Sequence, residues 1–183
     1  MTDEISDMIK RNIRIVHDFP TKGVNFLDLT TIWMDPELMK LTAKNIADVY
    51  RGRNVDKVVG IEARGFITGS QVAYELGAGF VLARKAGKLP GEKISETFSL
   101  EYGTATLEMH RDSIKEGERV LIVDDTLATG GTASAATRII GELKGDIVGV
   151  AFVAELEYMH GREDLNGYDV YSVARYASKD EIR

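Results

Sequence analysis

The 183-residue sequence predicts an α/β fold, a mostly parallel sheet flanked by helices. Three observations carry that expectation. Short apolar runs suited to buried strands recur at residues 57–61 (KVVGI), 79–83 (GFVLA), 119–123 (RVLIV) and 147–153. Segments of helical length separate most of them, at 65–76 and 131–143. Because the runs are apolar throughout rather than alternating, the strands should be covered on both faces, as in parallel sheets.

Taken in order, residues 3–13 read as a helix with Ile5, Met8 and Ile9 on one face. The stretch RIVHDFPTKGVNF reads as extended, then as a loop punctuated by Pro20 and Gly23. Asp35-Pro36 starts a helix to Tyr50, since proline is suited to a first helical turn. After the strand at 79–83, residues 84–93 (RKAGKLPGEK) are basic, with two glycines and a proline, and read as an exposed mobile loop. Residues 94–110 alternate around Tyr102-Gly103, the pattern of a β-hairpin or long flap. The last strand is expected at 168–174, and the polar end, RYASKDEIR, reads as partly disordered.

The length fits one domain, residues 1–183, and the balance of 44% apolar and 28% charged residues is that of a globular chain. A formal net charge of −6 argues against a nucleic-acid binder, although a local basic pocket for a small polyanion stays open. Without cysteine there are no disulfides, thiolate zinc sites or thiol nucleophiles. His17, His110 and His160 are far apart in sequence and read as structural or surface residues. The charged start has no signal-peptide core, and no stretch approaches the roughly 20 apolar residues that span a bilayer, so no membrane partner and a cytoplasmic location are expected.

The strongest chemical signal is VLIVDDTLATGGTA (120–133). An apolar strand runs into Asp124 and Asp125, and a short loop of small and hydroxyl residues leads into a helix. Ligands of open α/β sheets sit at the carboxyl ends of strands. Adjacent glycines allow close backbone approach, and free N–H groups at a helix start, with Thr129 and Thr132, make a phosphate cradle. The two carboxylates could accept hydrogen bonds from vicinal sugar hydroxyls, or hold Mg²⁺ directly or through water. Phosphate beside diol describes a ribose 5-phosphate. Alone, a paired acid or a TGGT would be an ordinary turn and cap; the whole string is more specific. Neither G-x-x-x-x-G-K-[ST] nor a G-x-G-x-x-G after a strand is present.

A second constellation, GIEARGF, places Arg64 and Gly65 after the strand at 57–61, where a guanidinium can meet an anion. Arg84, Lys85 and Lys88 are the dense basic cluster beside the same edge; such runs are ordinarily solvated loops.

The 120–133 string closely resembles the phosphoribosyl pyrophosphate (PRPP) motif of the type I phosphoribosyltransferases. GIEARGF, VLARKAGKLPGE, FPTKGVNFLDLT and SLEYG resemble segments of the adenine-specific members, in family order. The resemblance implies a type I phosphoribosyltransferase fold with a small N-terminal hood and a β-hairpin flap (84–110), and a base-site segment at 12–34. It implies that Asp124 and Asp125 bind the ribose hydroxyls with Mg²⁺ nearby, and that Ala128, Thr129, Gly130, Gly131 and Thr132 wrap the 5-phosphate. Arg64, Arg84, Lys85 and Lys88 would serve the pyrophosphate, the basic loop acting in its own subunit or across a homodimer. Phe26 would stack on the purine, and backbone groups at Asn25 and Leu27 would read its edge. At those two positions relatives often carry an apolar residue and an arginine.

Glu101 would be the general acid at the purine N7, and Tyr102 would help close the flap. A lone flap glutamate is ordinarily a solvent-facing charge; the SLEYG match gives it this role. The implied reaction is adenine plus PRPP to AMP plus pyrophosphate, in purine salvage. Rival readings are a hypoxanthine- or guanine-type transferase, a pyrimidine transferase, which FPTKGVNF and SLEYG oppose, and a nonenzymatic PRPP- or nucleotide-sensing regulator.

Overall fold

The structure is a computed structural model and describes residues 2–99 and 103–182. Helix α1 (Thr2–Asn12) is followed by β1 (Arg14–Val16), β2 (Phe26–Asp28), α2 (Thr30–Met34) and α3 (Pro36–Tyr50). Then come β3 (Lys57–Ile61), α4 (Gly65–Leu76), β4 (Gly79–Lys85), β5 (Lys93–Ser99), β6 (Thr104–His110), β7 (Arg119–Leu127), α5 (Gly131–Glu142), β8 (Asp146–Leu156) and β9 (Val170–Tyr176). The main sheet has the order β5-β6-β4-β3-β7-β8-β9. Its five strands from β4 to β9 are parallel, while β5 and β6 form an antiparallel arm beside β4.

Alternation along β7 divides the core. Leu121 and Val123 join Ile9, Leu29, Ile32, Ile46 and Tyr50 on one face; Val120 and Ile122 join Ile139, Ile140, Phe152, Leu107 and Met109 on the other. Helix α3 begins as its sequence requires: the Asp35 carboxylate accepts the Glu37 and Leu38 N–H groups at 2.9 and 3.0 Å, and Pro36 takes the first turn.

Several boundaries differ from the sequence reading. Arg84 and Lys85 end β4 rather than opening a loop, and Lys93 already pairs with His110 in the arm. The segment between them is pinned: Arg84 Nη1 donates to Lys88 O at 2.9 Å, Gly87 N to Glu108 Oε2 at 3.1 Å, and Leu89 is buried. The pairing of β1 with β2 and the short α2 had no periodic signature, because three- and five-residue elements are too short to show one. β7 runs through both aspartates to Leu127, and the last strand is shifted to Val170–Tyr176. Instead of fraying, the end of the chain packs: Tyr176 and Ile182 are buried, and Lys10 holds Glu181 at 2.9 Å. The hairpin is present as β5 and β6; Glu101 and Tyr102 lie outside the described residues.

Candidate active site

Because β3, β4, β7 and β8 are parallel, their carboxyl ends share one edge, and the predicted segments meet there. After β3 come Glu62, Ala63 and Arg64, the Glu62–Ala63 peptide being cis. Gly65 then opens α4 against β7. A Cβ there would lie 2.7 Å from Asp124 Oδ1 and 2.9 Å from Val123 O, so only glycine lets helix and strand approach this closely.

The acids of β7 are not equivalent. Asp125 is 5% exposed and takes Arg64 Nε on Oδ2 at 2.7 Å. Asp124 turns Oδ1 to the Asp125 N–H at 2.8 Å. Burial, and next the Asp125 charge, push the Asp124 carboxyl well above the ordinary carboxylate range; the Asp125 N–H and Arg64 oppose this without cancelling it.

Above the edge, the Arg64 guanidinium lies 4.8 Å from the centroid of the Phe26 ring, and Phe19 meets Phe26 edge-on at 5.2 Å. One arginine thus connects the predicted base ring with a predicted ribose acid. Phe26 and Leu27 lie on β2, Leu27 buried beneath and Phe26 partly open, while Asn25 precedes the strand.

At the end of β7, Ala128, Thr129, Gly130, Gly131 and Thr132 wrap the start of α5. Gly130 has φ of 87°, and no side chain among the described residues caps the helix. Its first N–H groups therefore suit an anion. Beside them a cavity of about 70 Å³ is lined by Asp124, Thr126, Ala128, Thr129 and Thr132, among others.

Arg84, at the end of β4, is paired. Its Nε bonds Glu62 Oε2 at 3.0 Å, and the Lys85 N–H reaches the same oxygen at 3.0 Å. Burial raises the Glu62 carboxyl, but these bonds and the nearby Lys88 outweigh it and hold the group below its usual range. Arg84 thus braces the Glu62 loop, whereas the Lys85 and Lys88 side chains are exposed and available to an anion.

Sequence reasoning missed the turn after β8. Gly161 presses on the loop between β7 and α5: a Cβ there would lie against Ala128 O, and one on Gly130 against Gly161 O. Arg162 secures the turn by a bidentate pair to Glu155, which is 2% exposed, at 2.6 and 2.7 Å. A glutamate ending an apolar run and a following Gly-Arg were the available signals, parallel to Glu62 and Arg64-Gly65.

Burial raises the Glu155 carboxyl, and the Arg162 bonds more than reverse this, so it is lowered in the folded chain. The pair's stabilisation is present above the unfolded pKa and is lost as pH falls through the folded one. Arg162→Leu should cost about 2 kcal/mol at pH 7, discounted because Arg162 is part-exposed and Arg175 stays close. The deficit against wild type should shrink near pH ~4, where the stranded carboxyl takes up a proton. Urea melts at both pH values check this; a deficit that does not shrink would contradict it.

Among the described residues no helix is long and apolar enough to cross a membrane, and no cluster of three or more acidic or histidine ligands is present. The family model of the phosphoribosyl transferase domain matches residues 30–176. The adenine phosphoribosyltransferase of Solibacter usitatus is 54% identical over 168 residues, 92% of this chain and 97% of that one. The crystal structure of the Rhodothermus marinus adenine phosphoribosyltransferase superposes with a TM-score of 0.91 at 44% identity, covering 95% of this chain and 99% of the other. That of the Saccharomyces cerevisiae enzyme, complexed with an imino-altritol bisphosphate and adenine, gives 0.88 at 35% identity over 93% and 99%. With the match of fold and of nearly the whole length, this chain belongs to the phosphoribosyltransferase family and, within it, to the adenine phosphoribosyltransferases.

Proposed function

We propose that the protein condenses adenine with PRPP, giving AMP and pyrophosphate in purine salvage. The observation that carries this reading is Arg64, held between Phe26 and Asp125, so that groups for base, pyrophosphate and ribose converge on one side chain.

Phe26 stacks on the purine, and backbone groups of Asn25 and Leu27 read its edge. Residues 128–132 hold the 5-phosphate on the α5 N–H groups. Asp124 and Asp125 bind the ribose hydroxyls. Two adjacent carboxylates suit Mg²⁺, which commonly takes one or two protein carboxylates and completes its shell with water and substrate phosphates. When bound, it would neutralise charge on the pyrophosphate. Arg64 leaves Asp125 for the pyrophosphate as PRPP arrives, uncovering Phe26 and freeing the carboxylate for the sugar; Lys85 and Lys88 add positive charge. As the bond from C1′ to pyrophosphate breaks through an oxocarbenium-like transition state, these groups position it and balance its charge, with no protein nucleophile. Glu101 exchanges the proton at the purine N7, with Tyr102 closing the flap.

The reading includes a homodimer, which would decide whose site the basic loop serves; light scattering giving the mass of one chain would exclude it. A cytoplasmic location and a single domain over residues 1–183 complete the proposal. The reaction is tested by AMP formation from adenine and PRPP with Mg²⁺ and with chelator. AMP formed only with the metal is expected; none under either condition would refute the reading.

A further inference from the structure

The loop that leads into the base-reading strand β2 packs on little. Residues 17–24 are exposed, and a cavity of about 370 Å³ lies between Gly23 and Val24 on one side and Leu156, Tyr158, Met159 and Lys179 on the other. Two hydrogen bonds of the Asn25 side chain hold the segment beside that cavity. Its Nδ2 donates to Ile182 O at 2.6 Å, and its Oδ1 lies 3.0 Å from His17 Nδ1. With the amide nitrogen spent on Ile182, Oδ1 must accept, so His17 carries a proton on Nδ1.

The carbonyl at the far end is firmly placed. Ile182 is 1% exposed in the core, and its N–H bonds Lys179 O at 3.2 Å. The neighbouring Glu181 is tied to Lys10 on α1 at 2.9 Å and to Ala177 N at 2.9 Å.

We propose that Asn25, clamped by His17 and the Ile182 carbonyl, is a positioning residue for the nucleobase. Its side chain points away from base reading and fixes the backbone that reads, so the turn at Lys179–Glu181 and α1 set the affinity for the base. The proposal rests on the reaction proposed above.

The test is Asn25→Leu, which keeps the bulk and removes both bonds. The KM for adenine should rise about tenfold while the KM for PRPP stays within about twofold, the loss expected for hydrogen bonds acting on one substrate only. Amide hydrogen exchange of residues 23–27 should quicken about tenfold, with that of the phosphate loop unchanged. Lys10→Met, which loosens the Ile182 turn without touching the segment, should raise the adenine KM about threefold alone and add nothing to Asn25→Leu, since both act through one strap. An unchanged adenine KM in Asn25→Leu, or a matching rise in both KM values, overturns the proposal while wild type stays active. Wild type that turns over no adenine instead overturns the reaction itself and this role with it.

Discussion

Glu101→Gln should lower kcat about 10²- to 10⁴-fold, the range of a lost general acid, and leave PRPP affinity within about threefold. Glutamine keeps the size and hydrogen-bonding capacity of the side chain but cannot deliver or take a proton at N7. The flap that carries it stands on a firm base: Ile94 and Phe98 of β5 are buried, and Arg138 of α5 bonds Glu96 at 2.5 Å. A substitution between β5 and β6 should therefore leave the fold intact. Pre-steady-state rates with saturating substrates check this, because slow product release could hide a slower chemical step. A single-turnover rate within about threefold of wild type would remove Glu101 from the chemistry.

Asp125→Asn should lower kcat/KM for PRPP about 10²-fold, since on the proposed reading it removes a charged acceptor for the sugar, and with it the buried anion that holds Arg64. At 37% side-chain exposure, Arg64 can be rehydrated, so the melting temperature should fall by no more than about 4 °C. Arg64→Gln should give a loss of similar order, and the double variant less than the product of the two, because the residues share one contact. Initial rates across PRPP concentration give the result; strictly multiplicative losses would contradict a functional Arg64–Asp125 link.

The parallel sheet was legible because its strands are continuous apolar runs ended by glycine or charge, as in KVVGI and RVLIV. That Arg64 and the loop at 128–132 fall at strand ends was legible because each directly follows an apolar run, after β3 and after β7. Less legible was what depends on distant partners. Arg84 looked like one more free cation of a basic loop, but Glu62, 22 residues away, makes it a brace. The pressure of Gly161 on Ala128 is backbone packing, which leaves no pattern beyond a glycine. The segment RYASKDEIR looked frayed because its polar residues dominate its composition, yet Ile182 and Tyr176 anchor it and its carbonyl reaches Asn25. Asp124 and Asp125 read as twins, and only the fold separates the buried one paired with Arg64 from the half-buried one packed against Gly65.

The most direct test of the central claim is a competition. The protein is mixed with PRPP, Mg²⁺ and equal amounts of adenine, hypoxanthine, guanine and xanthine, and the nucleotide product is identified by mass while pyrophosphate is counted. AMP as the dominant product, matching the pyrophosphate released, is the predicted result. IMP, GMP or XMP in its place would keep the phosphoribosyl site but contradict adenine as the base, and binding of PRPP without any nucleotide would contradict catalysis altogether.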